Sequence, residues 1–158
     1  MKRTAIAAAL SVLLTGAAQA QFVSQKALTI EAAQKMTAAC TAFAAKNGWH
    51  LSVWVIDGSG TPLAFQRMEG AGALATDTAL QKAKTALKLG HPSGDLGQGL
   101  AQGHLDILGL GLFAMAGGLP IAADGKVVAA IGAGGAQSNQ DEQCAQAGVD
   151  AVLGKTSR

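Results

Sequence analysis

Apolar positions recur at helical spacing between residues 28 and 48. Ile30, Ala33, Met36, Cys40, Phe43 and Ala44 fall on one face of a helix that Thr29 can cap and Asn47-Gly48 can stop. The period then changes. From His50 to Ile56, Leu51, Val53 and Val55 alternate with Ser52, Trp54 and Ile56, a β-branched and aromatic run that predicts a strand buried on both faces. Asp57 to Gly60 reads as a turn and Thr61 to Met68 as the returning strand of a hairpin, with Pro62 at its start or on an edge.

Thr76 is placed to cap a second helix from Asp77 to about Leu89. Its Leu80, Ala83 and Leu87 face inward and its Lys82, Lys84 and Lys88 outward, and Gly90-His91-Pro92 ends it. Nine glycines in the 29 residues from Gly90 to Gly118 exclude one uninterrupted element there. The segment resolves into a helical turn over Ser93 to Gln102, an extended stretch over Leu110 to Met115, and a strand entered through Gly117 and Gly118 and running into Ile121. Ala123 to Gly125 is a tight turn before a last strand from Lys126 to Ala133. Ser138 followed three residues on by Asp141 makes a capping box for a final helix from about Asn139 to Leu153. Five strands joined mainly by hairpins, with helices before, between and after them, predict an α+β domain around a mainly antiparallel sheet.

The first twenty residues do not belong to that pattern. Lys2 and Arg3, an apolar run from Ala5 to Leu14, and small residues at Ala18 and Ala20 read as a secretory signal peptide cleaved after Ala20. The run is about half the ~20 residues a membrane span needs, so the mature chain, residues 21–158, is expected to be periplasmic or secreted without a membrane anchor. Removing Lys2 and Arg3 from the 12 basic residues leaves 10, against 10 acidic, so the mature chain is formally neutral. Neutrality, four Phe, two Trp and no Tyr argue against nucleic acid as a partner, because capture needs concentrated positive charge and stacking rings. Export also argues against chemistry that depends on ATP or NAD.

Both cysteines, Cys40 and Cys144, lie in the mature chain and would meet an oxidising compartment. If the first and last helices pack together, a disulfide would close a loop of about 100 residues, worth about 4.7 kcal/mol in the chain-entropy model; otherwise the two are buried thiols that never meet.

Chemistry-bearing motifs are sparse. Gly109-Leu-Gly-Leu-Phe-Ala114 matches a dinucleotide fingerprint in letters but lacks a following helix, and there is no phosphate-binding loop, nucleophile elbow, zinc-protease helix or c-type haem attachment sequence. The histidines His50, His91 and His104 remain as ligands for haem iron or a transition metal. Each has a plainer role: His50 as a strand's polar rim, His91 as a cation at a helix C-terminus, His104 in a wet glycine-rich loop. Asp141 and Glu142 could work as acid and base with a histidine if they shared a cleft, though their spacing does not require it. No catalytic residue is assigned.

The segment Gly117-Gly118-Leu-Pro120-Ile121, then Asp124-Gly125, Ala130-Ile131-Gly132-Ala-Gly134-Gly135, Gln140-Asp141-Glu142 and Ala147-Gly148 resembles the C-terminal signature of the GlcG/HbpS family of haem-binding proteins, which are similar to the C-terminal domain of PduO. Val53 to Gly60, with Leu63 to Met68 and Gly70-Ala71, looks like the family's first hairpin, and Lys82 to Ala86 followed by Pro92-Ser93 like its middle helix and proline loop. The likeness spans roughly residues 28–154 and departs from many relatives at Ala133-Gly134, where they carry Val-Ser-Gly. It implies an α-β-α sandwich around a five-stranded sheet, in a single domain over residues 21–158. It further implies an exported homo-oligomer that binds haem or another small molecule as carrier or sensor. The family's gene contexts leave an enzyme or accessory factor of small-organic-acid catabolism, or a purely structural or sensory partner, as alternatives. Ser93 matches the hydroxyl residue after the family's proline and His91 lies two positions before it, so His91 and Ser93, with His104 and His50, form the expected cofactor-binding set. Without a tyrosine, a tyrosinate iron ligand is excluded.

Overall fold

A computed structural model describes residues 24–155; the expected signal peptide and its cleavage point lie outside the described residues. The elements run α1 (Ile30–Lys46), β1 (Ser52–Asp57), β2 (Pro62–Arg67), α2 (Ala73–Leu89), α3 (Gly94–Ala101), a 3-10 helix (Leu105–Leu110), β3 (Gly118–Ala123), β4 (Lys126–Gly134) and α4 (Ser138–Leu153). The strands form one antiparallel sheet in the order β2-β1-β4-β3. Pro62 opens an edge strand and Pro120 sits within the other edge strand, where a missing backbone donor is tolerated.

Among the described residues the sheet has four strands, not five. The stretch expected to be extended at 110–115 ends a 3-10 helix and then runs on without pairing to a strand. Its backbone polar groups bond to side chains instead: the Phe113 N–H donates to Thr85 Oγ1 (2.9 Å), and the Met115 carbonyl accepts from Ser93 Oγ (2.6 Å). With those groups occupied and glycines at 109 and 111, nothing holds the segment against a strand edge.

Helices cover both faces. On one, Ala33, Met36, Cys40 and Ala44 of α1 and Cys144, Ala145 and Val149 of α4 pack on Val53, Val55, Leu119, Ile121, Ala129, Ile131 and Ala133. On the other, Ala83 and Ala86 of α2 pack on Ile56 and Ala130, so neighbouring strand residues serve opposite layers, as a two-residue period requires. Gly132 lies under α2: a Cβ there would collide with the Ala79 carbonyl and sit 2.5 Å from the Ala83 nitrogen, so the helix backbone rests almost directly on the strand. Cys40 and Cys144 are joined by a disulfide, both fully buried, with their Cα atoms 4.5 Å apart. Gly148, one turn beyond Cys144, makes that approach feasible, because a Cβ there would stand 2.8 Å from the Met36 carbonyl.

Two helix starts differ from the sequence expectation. Helix α2 begins at Ala73 behind Gly72, so Thr76 lies inside it; its hydroxyl meets Ser52 Oγ at 2.9 Å and its carbonyl accepts from Trp54 Nε1 at 3.1 Å. Helix α4 is capped by Gln137 rather than Ser138, with the Gln137 N–H donating to Gln140 Oε1 (3.1 Å), which releases Asp141 for a contact elsewhere.

Candidate functional site

The residues chosen from sequence do not converge. His50 is exposed before β1, its Nδ1 2.7 Å from the Glu69 carbonyl oxygen. His91 is exposed on the connection between α2 and α3. His104 is exposed at the head of the 3-10 helix. Ser93 is fully buried, and its hydroxyl donates to the Met115 carbonyl and accepts from the Gly118 N–H (2.9 Å), which ties the glycine-rich segment to the start of β3. Among the described residues no group of three or more His, Cys, Asp or Glu side chains is placed to hold a metal ion, and no histidine ring pairs with a carboxylate.

Of the three histidines, His104 has apolar company. Leu105, Leu108 and Leu110 of the adjoining 3-10 helix are 67%, 65% and 57% exposed, an unusual concentration for so short an element. Imidazole beside exposed leucines is a donor set that suits a flat, largely apolar iron macrocycle, because the ring supplies the ligand and the leucines the contact area.

A second constellation escaped the sequence reading. Lys82, expected outward with Lys84 and Lys88, is buried, and its Nζ donates to Asp141 Oδ2 at 2.6 Å. Asp141 Oδ1 accepts the Ala136 N–H (3.0 Å), so both carboxylate oxygens are engaged. The two side chains are each 2% exposed. They line a cavity of about 340 Å³ whose other walls include Ala75, Thr78, Met115, Gly135 and Ala136, with Leu74 at its rim. The signal was in the spacing: Ala75, Ala79, Lys82, Ala83 and Ala86 share one buried stripe of α2, and Asp141, Cys144, Ala145 and Gly148 one of α4.

Among the described residues, no helix is long and apolar enough to cross a membrane. The family described as haem degrading protein HbpS-like matches residues 28–150. The crystal structure of a double mutant of HbpS from Streptomyces reticuli superposes with a TM-score of 0.78 at 40% identity, covering 94% of this chain and 99% of that one. An uncharacterised 15.0 kDa protein from the dhaT-dhaS intergenic region of Citrobacter freundii is 32% identical over 129 residues, 78% of this chain and 90% of the relative. GlcG of Escherichia coli K12 is 31% identical over 114 residues, 66% of this chain and 79% of GlcG. With most of the domain matched and the sandwich reproduced, the chain belongs to the HbpS-like family, in the GlcG/HbpS group.

Proposed function

We propose that this protein binds haem and acts outside the cytoplasm as an oligomeric carrier or sensor. The observation that carries the reading is the exposed His104 at the head of a helix presenting Leu105, Leu108 and Leu110 to solvent. Family membership supports the ligand, since the family's description names haem. The signal-like first twenty residues support export, and so does the disulfide, because such bonds persist in oxidising compartments. When bound, haem would supply an iron centre for ligand or electron chemistry. The chain's part is to offer an imidazole and to cover the macrocycle with aliphatic side chains. Of the expected set, His91 and His104 are exposed, His50 is exposed with its Nδ1 already held by the Glu69 carbonyl, and the Ser93 hydroxyl is engaged inside the fold.

Titration of the mature protein with hemin tests this. A shifted Soret band that is lost in His104→Ala and kept in His91→Ala and His50→Ala is the expected result. A hemin spectrum unchanged by protein, or a shifted band indifferent to all three substitutions, would sink ligation by a histidine of this chain.

A further inference from the structure

We infer that the cavity over Lys82 and Asp141 is a binding site for a small uncharged molecule that carries an acceptor oxygen, such as a ketone or amide, on an apolar body. It is separate from the haem reading and does not depend on it.

The argument starts from unused donors. A lysine ammonium has three N–H groups, and the protein uses one, to Asp141 Oδ2. The other two belong to a side chain that is 2% exposed, so bulk water is nearly excluded from it. An ion pair this dry adds little to stability compared with apolar residues of the same volume, which makes stability a poor reason for its presence. The fold nevertheless makes room for it. A Cβ at Gly117 would stand 2.8 Å from Asp141 Cβ and 3.0 Å from Lys82 Cδ, so a bare backbone at 117 is what lets the two side chains lie there.

The charge of the ligand follows from the lining. Among the described residues, Lys82 and Asp141 are the only titratable side chains on the cavity wall, and together they sum to zero. An anion would leave a net negative charge buried beside Asp141. A cation would face Lys82 and find both carboxylate oxygens taken. A carbonyl or amide oxygen accepts a Lys82 N–H without adding charge. The rest of the molecule would meet apolar surface: Ala75 and Ala136 on the wall, and at the mouth Leu74 and Met115, which are 74% and 46% exposed. Thr78 adds a hydroxyl whose own hydrogen reaches the Ala75 carbonyl at 3.3 Å, leaving its oxygen to accept.

Three probes of one shape and different charge separate the alternatives: benzamide, benzoate and benzamidine, each titrated into haem-free mature protein labelled at methionine methyl carbons. The expected result is a saturable shift of the Met115 methyl resonance with benzamide and none with the two ions. Lys82→Met leaves Asp141 buried without its partner and can fail to fold, so the comparison uses Lys82→Met/Asp141→Leu, in which benzamide should bind about tenfold or more weakly, the loss expected for a hydrogen bond from a charged donor. Preference for benzoate or benzamidine, equal benzamide binding in the double variant, or no response to any probe would each overturn the inference.

Discussion

Lys82 of α2 and Asp141 of α4 meet at 2.6 Å although their helices lie on opposite faces of the sheet and 59 residues separate them. The contact couples the two outer layers through a pair with almost no access to water. Removing one partner should therefore cost far more than removing both. Lys82→Met should lose about 3–5 kcal/mol, because Asp141 would stay buried with only the Ala136 N–H to compensate it, while Lys82→Met/Asp141→Leu should recover most of that loss. Urea midpoints of wild type, single and double variants measure the difference. Equal losses in both variants would show that the pair's value is its packing volume.

The Cys40–Cys144 bond closes a separation of 104 residues and joins the first and last helices of the layer opposite α2. Cys40→Ala/Cys144→Ala should lose about 2–5 kcal/mol. Adding reductant should lower the melting temperature of wild type and leave the double variant unchanged. A wild type that melts alike with and without reductant would contradict a stabilising bridge.

Gly132 bears one of the closest helix-on-strand approaches in the fold. A methyl at this position would press on the Ala79 carbonyl and the Ala83 nitrogen of α2, which are backbone atoms that cannot turn aside. Gly132→Ala should cost about 1–3 kcal/mol or more through overpacking, although the same substitution on an open strand would be favourable. Chemical denaturation distinguishes the two signs.

Asp57 gives a pH-dependent test. Its carboxylate accepts the Ser59 hydroxyl (2.6 Å) and the N–H groups of Ser59 (2.8 Å) and Thr61 (2.9 Å), and these bonds, the Ser59 hydroxyl foremost, hold its pKa below the ordinary value. A depressed folded pKa means that the unfolded chain takes up its proton first as pH falls. The stabilisation is thus full above the unfolded value of about 3.9 and is lost as pH drops through the folded one. Wild type should melt above Asp57→Asn near neutrality, with the gap closing in acid. A gap that is constant with pH would remove the carboxylate's charge from the explanation.

Much of the architecture is legible in the sequence because burial obeys simple periods. The helix from Ile30, the β1-β2 hairpin, the Asp124-Gly125 turn and the last helix follow from spacing and turn chemistry. The expected fifth strand fails because an apolar, glycine-rich run such as Leu110 to Met115 is compatible with extension, and only the hydroxyls of Ser93 and Thr85 decide that its backbone bonds elsewhere. Lys82 departs from expectation for a different reason. A lysine near two others reads as solvated by default, and its place on the alanine stripe of α2 gains meaning only when Asp141, on a distant helix, supplies the countercharge. The histidines are legible as residues but not as a set, since no spacing rule links three separate loops.

Ser93 and His104 share the expected ligand set, and the structure gives them opposite burdens. Ser93 is sealed inside, where its hydroxyl satisfies both the Met115 carbonyl and the Gly118 N–H. Ser93→Ala strands the buried Gly118 N–H, at a cost of about 1–3 kcal/mol, and takes the donor from the part-buried Met115 carbonyl, so the melting temperature should fall clearly. His104 is exposed and its ring forms no hydrogen bond among the described residues, so His104→Ala should leave the stability within about 0.5 kcal/mol of wild type. Hemin spectra should show the reverse order at a temperature where both variants are folded: a normal Soret shift in Ser93→Ala and a lost one in His104→Ala. A Ser93→Ala protein that melts like wild type but no longer shifts the hemin spectrum would move the site to the His91–Ser93 loop.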